Sequence, residues 1–543
     1  MTSVLFISIY DEYCLGVRQL VANLRHSGHQ AYLLCLKHYG KFDLKNDDIP
    51  ETEWQIIIKP DGSRSALSYP YPITPCEKEL LQNLLNKLKP RVIGLTVNSI
   101  NIKTTIQVTR WLREMSPNSV LLWGGPHATL NPSSSAQYAD FICVSEGDIC
   151  INDFCNAIDK GTDLTAIPSM AFRGKDGSVV QNPLSSLIHN LDTLPYAYHG
   201  KEEVFYIDFD TITEGVPFSD SELLHSHKIM TSRGCPYTCS YCMLSHQKDI
   251  IPESRKLRYR SIGNVIGELE EVKRRMGHYY LEIEDDIFTL NYKRMVEFFE
   301  AYSQRIAMPF WCYTHPNFVT EKALSLLKKN NIQYIIMGIE AGSDHIANDI
   351  FRRKVKKERL ISSTQLIHNS GIRCFYDVIS NNPFETEEDR IENFHVIRRI
   401  PKPFEFQIVA LNIFPNTKID IMRREAGLPR TVDFQQYRYW NALYHLASVI
   451  NIDDHLSDIL LNYPPFRQKP EILENLSGQI AQIAHNLGDA ELWNLIYKNE
   501  IDKQVKKNEL LQKQIDEITH RRGYKLFITI SNILRKIKRI FRK

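Results

Sequence analysis

No stretch of this chain restricts what it can fold into as tightly as Thr231–Met243, TSRGCPYTCSYCM, which places thiols at Cys235, Cys239 and Cys242. The C-x3-C-x2-C spacing lets one short loop bring three thiolates round a single centre. Soft sulfur ligands at this density suit zinc or an iron–sulfur cluster. A structural zinc site normally closes with a fourth Cys or His, and His246, four residues after Cys242, is the nearby candidate. The preceding HKIMTS reads as a short buried strand. The thiols then lie just past the carboxyl end of a strand, where barrel and α/β enzymes keep their chemistry.

Three cysteines on a four-iron cluster leave one iron without a protein ligand. With Tyr241 as an aromatic residue directly before the last cysteine, the loop resembles the signature of the radical S-adenosylmethionine (SAM) enzymes. The resemblance implies that Cys235, Cys239 and Cys242 hold a [4Fe-4S] cluster whose open iron chelates SAM. It further implies reductive cleavage to a 5′-deoxyadenosyl radical, hydrogen removal from an unactivated carbon, and a reductant such as flavodoxin or ferredoxin.

Residues 1–160 alternate strands with helices. SVLFISIY, QAYLLCL, VIGLTVN, SVLLWGG and FICVS are apolar runs, with helical stretches at Leu15–His26 and Ile102–Met115. That alternation predicts a doubly wound parallel sheet. Such sheets bind ligands at the carboxyl ends of their strands. Those ends carry Thr96 to Ser99, Gly124-Gly125-Pro126-His127 and Glu146-Gly147-Asp148. Glycine there permits close approach of a large flat ligand, and equally a plain tight turn. GGPHATLNP followed by ADFICVSEGD resembles the cobalamin-binding domain that precedes the barrel in one large subclass of radical enzymes. The resemblance implies cobalamin contacts from Thr96, Ser99, Gly124, Gly125, Pro126, His127, Glu146 and Gly147. The lower-ligand pattern Asp-x-His-x-x-Gly does not occur in this region, and His127 reads as a loop residue rather than a cobalt ligand.

Residues 161–222 suggest a hairpin and an extended connection, punctuated by Pro168, DGSVVQNP and LDTLP. From 223 to 440 strand and helix repeat again. HKIMTS, YLEIED, FWCYTH, YIIMGIE, IRCFYDVIS and EFQIVALNIF make six strands. That count matches the partial (β/α)6 barrel of the radical family. Glu284, Asp285 and Asp286 end one strand, either as hydrogen-bond acceptors for a ligand or as caps of the helix that begins near Asn291. MGIEAGS resembles a family stretch close to the SAM site. That likeness implies roles for Gly338, Glu340, Gly342 and Ser343, and a family-like position for Asp377, with Tyr241 and Glu284 completing the set. Asn381-Asn382-Pro383-Phe384 departs from the glycine-rich turn of many members. Thr386 to Arg390 reads as a capped helix start, and Phe414 to Thr417 as a turn.

With 66 basic and 64 acidic residues and a net charge of +2, nothing invites nucleic acid. The apolar run at Met1–Tyr10 is short and lacks a basic lead, and the cysteines outside the loop are scattered, so the expected setting is reducing and cytoplasmic. No apolar run approaches the ~20 residues that span a bilayer. Residues 441–543 read as a helical region. Ile501, Val505, Asn508, Leu511, Ile515 and Ile518 keep near-heptad spacing. The tail YKLFITISNILRKIKRIFRK is a basic amphipathic helix, suited to an anionic membrane surface, to a partner helix or to the chain's own core. Peripheral membrane contact would suit a lipid-like substrate, although no motif identifies one.

The expected protein is a radical SAM enzyme with a cobalamin-type domain, methylating an unactivated carbon. Two alternatives stand beside it: a cobalamin-independent radical cyclase, rearrangement or oxidation enzyme, and a zinc-binding scaffold docked to a membrane.

Overall fold

The computed structural model describes residues 1–38, 40–44, 56–69, 72–218, 225–402 and 404–486. Two nine-stranded sheets organise them. In the first, Ser3–Ile9 lies between Gln30–Leu36 and Val92–Thr96, followed outward by Val120–Gly124 and Phe141–Cys143, all parallel. These are near-continuous apolar runs because helices bury both faces. Side chains alternate across the strand, so Leu5, Ile7 and Ile9 enter one core while Val4 and Phe6 enter the other.

The stretch 161–222, expected as a hairpin and connection, adds strands to both edges of that sheet. Met170–Arg173 and Val179–Gln181 extend one edge antiparallel. Val204–Asp208 joins Gln30–Leu36 in parallel at the other, and Thr211–Glu214 folds back on it. Thr211–Glu214 is exposed throughout and carries no apolar run to announce it.

The second sheet contains the six expected parallel strands in chain order: Ser226–Ile229, Tyr280–Ile283, Phe310–Thr314, Ile332–Glu340, Arg373–Ser380 and Glu405–Ala410. It does not close on itself. Beyond Glu405–Ala410 it continues antiparallel into Ile56–Ile58, Arg64–Tyr69 and Gly40–Leu44. These strands come from a polar, proline-rich interval of the first 160 residues. Borrowing them covers an edge that would otherwise present unpaired backbone groups.

The helix Arg438–Val449 runs across the expected boundary at residue 440. Its Trp440, Leu443, Tyr444 and Leu446 belong to the barrel core. The near-heptad stretch 501–518 and the basic tail 523–543 lie outside the described residues. Among the described residues no helix is long and apolar enough to cross a membrane.

Candidate active site

The cysteine loop leaves the barrel at the end of Ser226–Ile229 and is pinned at once. Buried Asp285 accepts from the Thr231 amide at 2.5 Å and hydroxyl at 2.6 Å, and from the Ser232 amide at 3.2 Å and hydroxyl at 2.7 Å. Of the three adjacent carboxylates, Asp285 therefore serves the loop rather than the next helix, which Asn291 caps by accepting from the Arg294 amide. Ser232–Arg233 then pairs antiparallel with Arg258–Tyr259. Buried Lys248 donates to the carbonyls of Cys235 and Tyr237, closing the loop from beneath.

Cys239 is buried, Cys235 and Cys242 are half-buried, and Cys242 directly precedes the helix Met243–Ile250. Burial pushes the Cys235 thiol up to about 11 and the Cys242 thiol up to about 12, with Asp286 and the neighbouring thiols adding repulsion. Ligation must therefore displace protons that the free loop holds tightly. Among the described residues, the one trio of His, Cys, Asp or Glu ligand atoms within 4.8 Å of one another is His199, His227 and Glu268. His246, the candidate fourth zinc ligand, lies on the following helix Met243–Ile250.

Inside the barrel, Arg353 gathers several of the expected residues. It donates to the Tyr241 hydroxyl at 2.9 Å, to Glu340 Oε1 at 3.2 Å and to the Gly338 carbonyl. Glu340 has a left-handed backbone (φ 63°) beside a register shift in its strand, which folds its carboxylate back over Gly338. A Cβ at Gly338 would meet Glu340 Oε1 at 2.2 Å, so a larger residue would displace the Glu340 carboxylate. Gly342 and Ser343 turn elsewhere. Both amides donate to Asn393 Oδ1, at 2.6 and 2.8 Å, and the Ser343 hydroxyl donates to Asp389. This fastens the loop to the helix Glu387–Ile397.

Glu284 shares Lys228 with Glu282, each at 3.3 Å. Desolvation, reinforced by Glu340, raises the Asp377 carboxyl to about 7. Its folded-state pKa lies above the unfolded value, so its contribution is intact in acid and is lost as pH rises through about 7. Asp377→Asn is accordingly expected to raise the thermal midpoint relative to the parent at pH 8. The advantage should vanish near pH 4, as measured by melting curves across that range.

The first sheet's strand ends and the cysteine loop face a common cavity of about 520 Å³, within the usual range for small-molecule sites. Thr96, Gly124, Gly125, Pro126, Glu146 and Gly147 line it from one side, and Arg233, Gly234, Cys235, Lys248 and Asp286 from the other. Gly125 sits at φ 90°, where a Cβ would press within 2.9 Å of Thr96 Oγ1. Ser99 and His127 are not in the lining. They are buried and hydrogen-bonded to each other at 2.8 Å, and burial together with Arg430 lowers His127 to about 4.

Two arginines that sequence reasoning passed over join the halves of this wall. Arg233 pairs with Glu146 at 2.9 Å and with Asp148 at 2.7 Å, and Arg258 pairs with Glu146 at 2.5 Å. Arg233 stands inside the cysteine motif itself, which was the available signal. Arg353 and Lys248 had none, because their partners are backbone carbonyls and distant side chains.

Residues 229–397 match the family model of the Radical SAM superfamily. The chain is 23% identical over 399 residues to the uncharacterized methyltransferase PH0819 of Pyrococcus horikoshii, covering 72% of this chain and 82% of that protein. It is 24% identical over 330 residues to the anaerobic magnesium-protoporphyrin IX monomethyl ester cyclase of Rubrivivax gelatinosus. That alignment covers 59% of this chain and little more than half, 56%, of the cyclase. Its fold is similar to that of the radical SAM methyltransferase TsrM from Kitasatospora setae, solved with cobalamin and a [4Fe-4S] cluster bound. The TM-score is 0.57 at 16% identity, covering 78% of this chain and 75% of TsrM.

Proposed function

We propose that this chain, a radical SAM enzyme by the domain at residues 229–397, is a cobalamin-dependent methyltransferase acting on an unactivated carbon. The observation that carries the reading is the shared cavity, into which the carboxyl ends of a doubly wound sheet and the cysteine loop both open. The donor set fits the groups concerned: three thiols on one short loop for a cluster, and a glycine-edged cavity wall for a corrin. Cys235, Cys239 and Cys242 would hold the cluster. Tyr241, Glu284, Gly338, Glu340, Gly342, Ser343 and Asp377 would form or support the SAM side, and the Thr96, Gly124–Pro126 and Glu146–Gly147 loops would form the cobalamin side. When bound, these groups supply an electron to SAM, a radical able to remove hydrogen, and a methyl group for transfer.

The chain's own part is to position and to shield. Arg353 neutralises Glu340 and fixes Tyr241 beside the cysteines. Asp286, raised to about 6 chiefly by burial, with Asp285 adding repulsion, holds or releases a proton near neutrality at the cavity wall. The surrounding core keeps water from the reacting atoms.

The similarity to the cyclase favours a second reading, radical chemistry without methyl transfer. Anaerobic purification with iron, sulfide and cobalamin quantified together, then addition of SAM and reductant, separates the two. Bound cobalamin with 5′-deoxyadenosine release is the expected result. Deoxyadenosine from protein that takes up no cobalamin in excess would move the assignment to the second reading.

A further inference from the structure

A second set of ligand-type side chains lies where the segment before the barrel meets its first strand. His227 is on Ser226–Ile229, Glu268 is on the helix Ile262–Met276, and His199 is in the segment that leads to Val204–Asp208. One ligand atom from each lies within 4.8 Å of the other two. His227 Nε2 is 3.5 Å from Glu268 Oε1, while Arg260 holds the other carboxylate oxygen at 2.6 Å. The two imidazoles meet edge to face with centroids 4.7 Å apart.

His227 and Glu268 are 2% and 4% exposed. The Nε2 atoms of both histidines are buried without a hydrogen-bond partner. Buried polar nitrogens are ordinarily paired, and here both histidines belong to a set whose ligand atoms lie within 4.8 Å of one another, a common centre that an ion would fill. A carboxylate with one oxygen near that centre and the other in an ion pair with Arg260 is held in the way that outer partners orient a metal ligand. Arg260 and Glu268 also line the cavity, which provides an entry path.

We propose that His199, His227 and Glu268 bind one divalent zinc-type ion, separate from the cysteine loop. Two imidazoles and a carboxylate are the donors that zinc takes with a position left for water. The ion ties the segment before the barrel to the strand that leads into the cysteine loop.

The test uses the full-length chain loaded anaerobically with its cluster, incubated with Zn²⁺, desalted, and analysed for zinc and iron. The expected result is about one zinc beyond the cluster iron. Zinc affinity should fall more than about tenfold in His199→Ala and in His227→Asn, with iron content unchanged. A chain with Cys235, Cys239 and Cys242 all replaced by Ala should keep the zinc. Absence of zinc uptake by the parent, retention in both histidine variants, or loss only with the cysteines would overturn the proposal. Unchanged iron reports that the barrel is folded, and the half-buried His199 provides the gentler substitution if His227→Asn misfolds.

Discussion

Cys239→Ala is expected to release no detectable 5′-deoxyadenosine from SAM under reducing conditions, while the chain stays folded. Cys239 is the most buried of the three thiols, and the loop around it is held by Asp285 and Lys248 rather than by the sulfur itself. Removing the side chain deletes one of three cluster ligands without removing those anchors. The loss should therefore appear in iron and sulfide content and in SAM cleavage together, with the urea-unfolding midpoint little changed. Turnover retained at the parent rate would contradict the cluster assignment. A lost cluster with a collapsed midpoint would mean that the loop depends on its metal to fold.

The second large effect is expected at the junction of the two sheets. Arg233→Met leaves Asp148, 6% exposed, with only the Asn23 amide at 3.3 Å, and leaves Glu146 to Arg258. Stranding a buried carboxylate in this way costs on the order of 3 kcal/mol. The urea midpoint should drop accordingly, and amide exchange at residues 145–148 should quicken. Because the penalty belongs to the stranded charge, Asp148→Asn added to Arg233→Met should recover a large part of it. Strict additivity of the two substitutions would show that the pair contributes nothing. Loosening here also disturbs the cavity wall, so ligand retention should weaken in parallel with exchange.

Much of this architecture is legible locally. Six apolar runs separated by helical stretches announce the barrel strands, and the parallel core of the first sheet announces itself in the same way. Both read clearly because strands buried on two faces must be apolar along their length. The hairpin 56–69 and the edge strands of 170–214 escape that logic. They are short, and although Ile56, Ile58, Met170 and Val204 to Ile207 are buried, only long-range pairing sets which sheet each joins. Among the candidate site residues, the lining loops at Gly124–Pro126 and Glu146–Gly147 follow from strand ends, whereas Ser99 and His127 satisfy each other away from the cavity. Glu340 reads as an open acceptor until Arg353, thirteen residues on in sequence, is seen folded back on it.

By itself the sequence determined the three-thiol loop and the class of both sheets, because these depend on spacing along a covalent chain and on periodic burial, while the expectation of radical chemistry came from the loop's resemblance to a known family. Only the tertiary structure decided which charges meet: Arg233 with Glu146 and Asp148, Arg353 with Glu340, and His199 and His227 with Glu268. Most of these partners lie on elements far apart in the chain. Even nearby ones face each other only after a bulge or a helix crossing, and desolvation, which gives each pairing its strength, exists only once the core has closed.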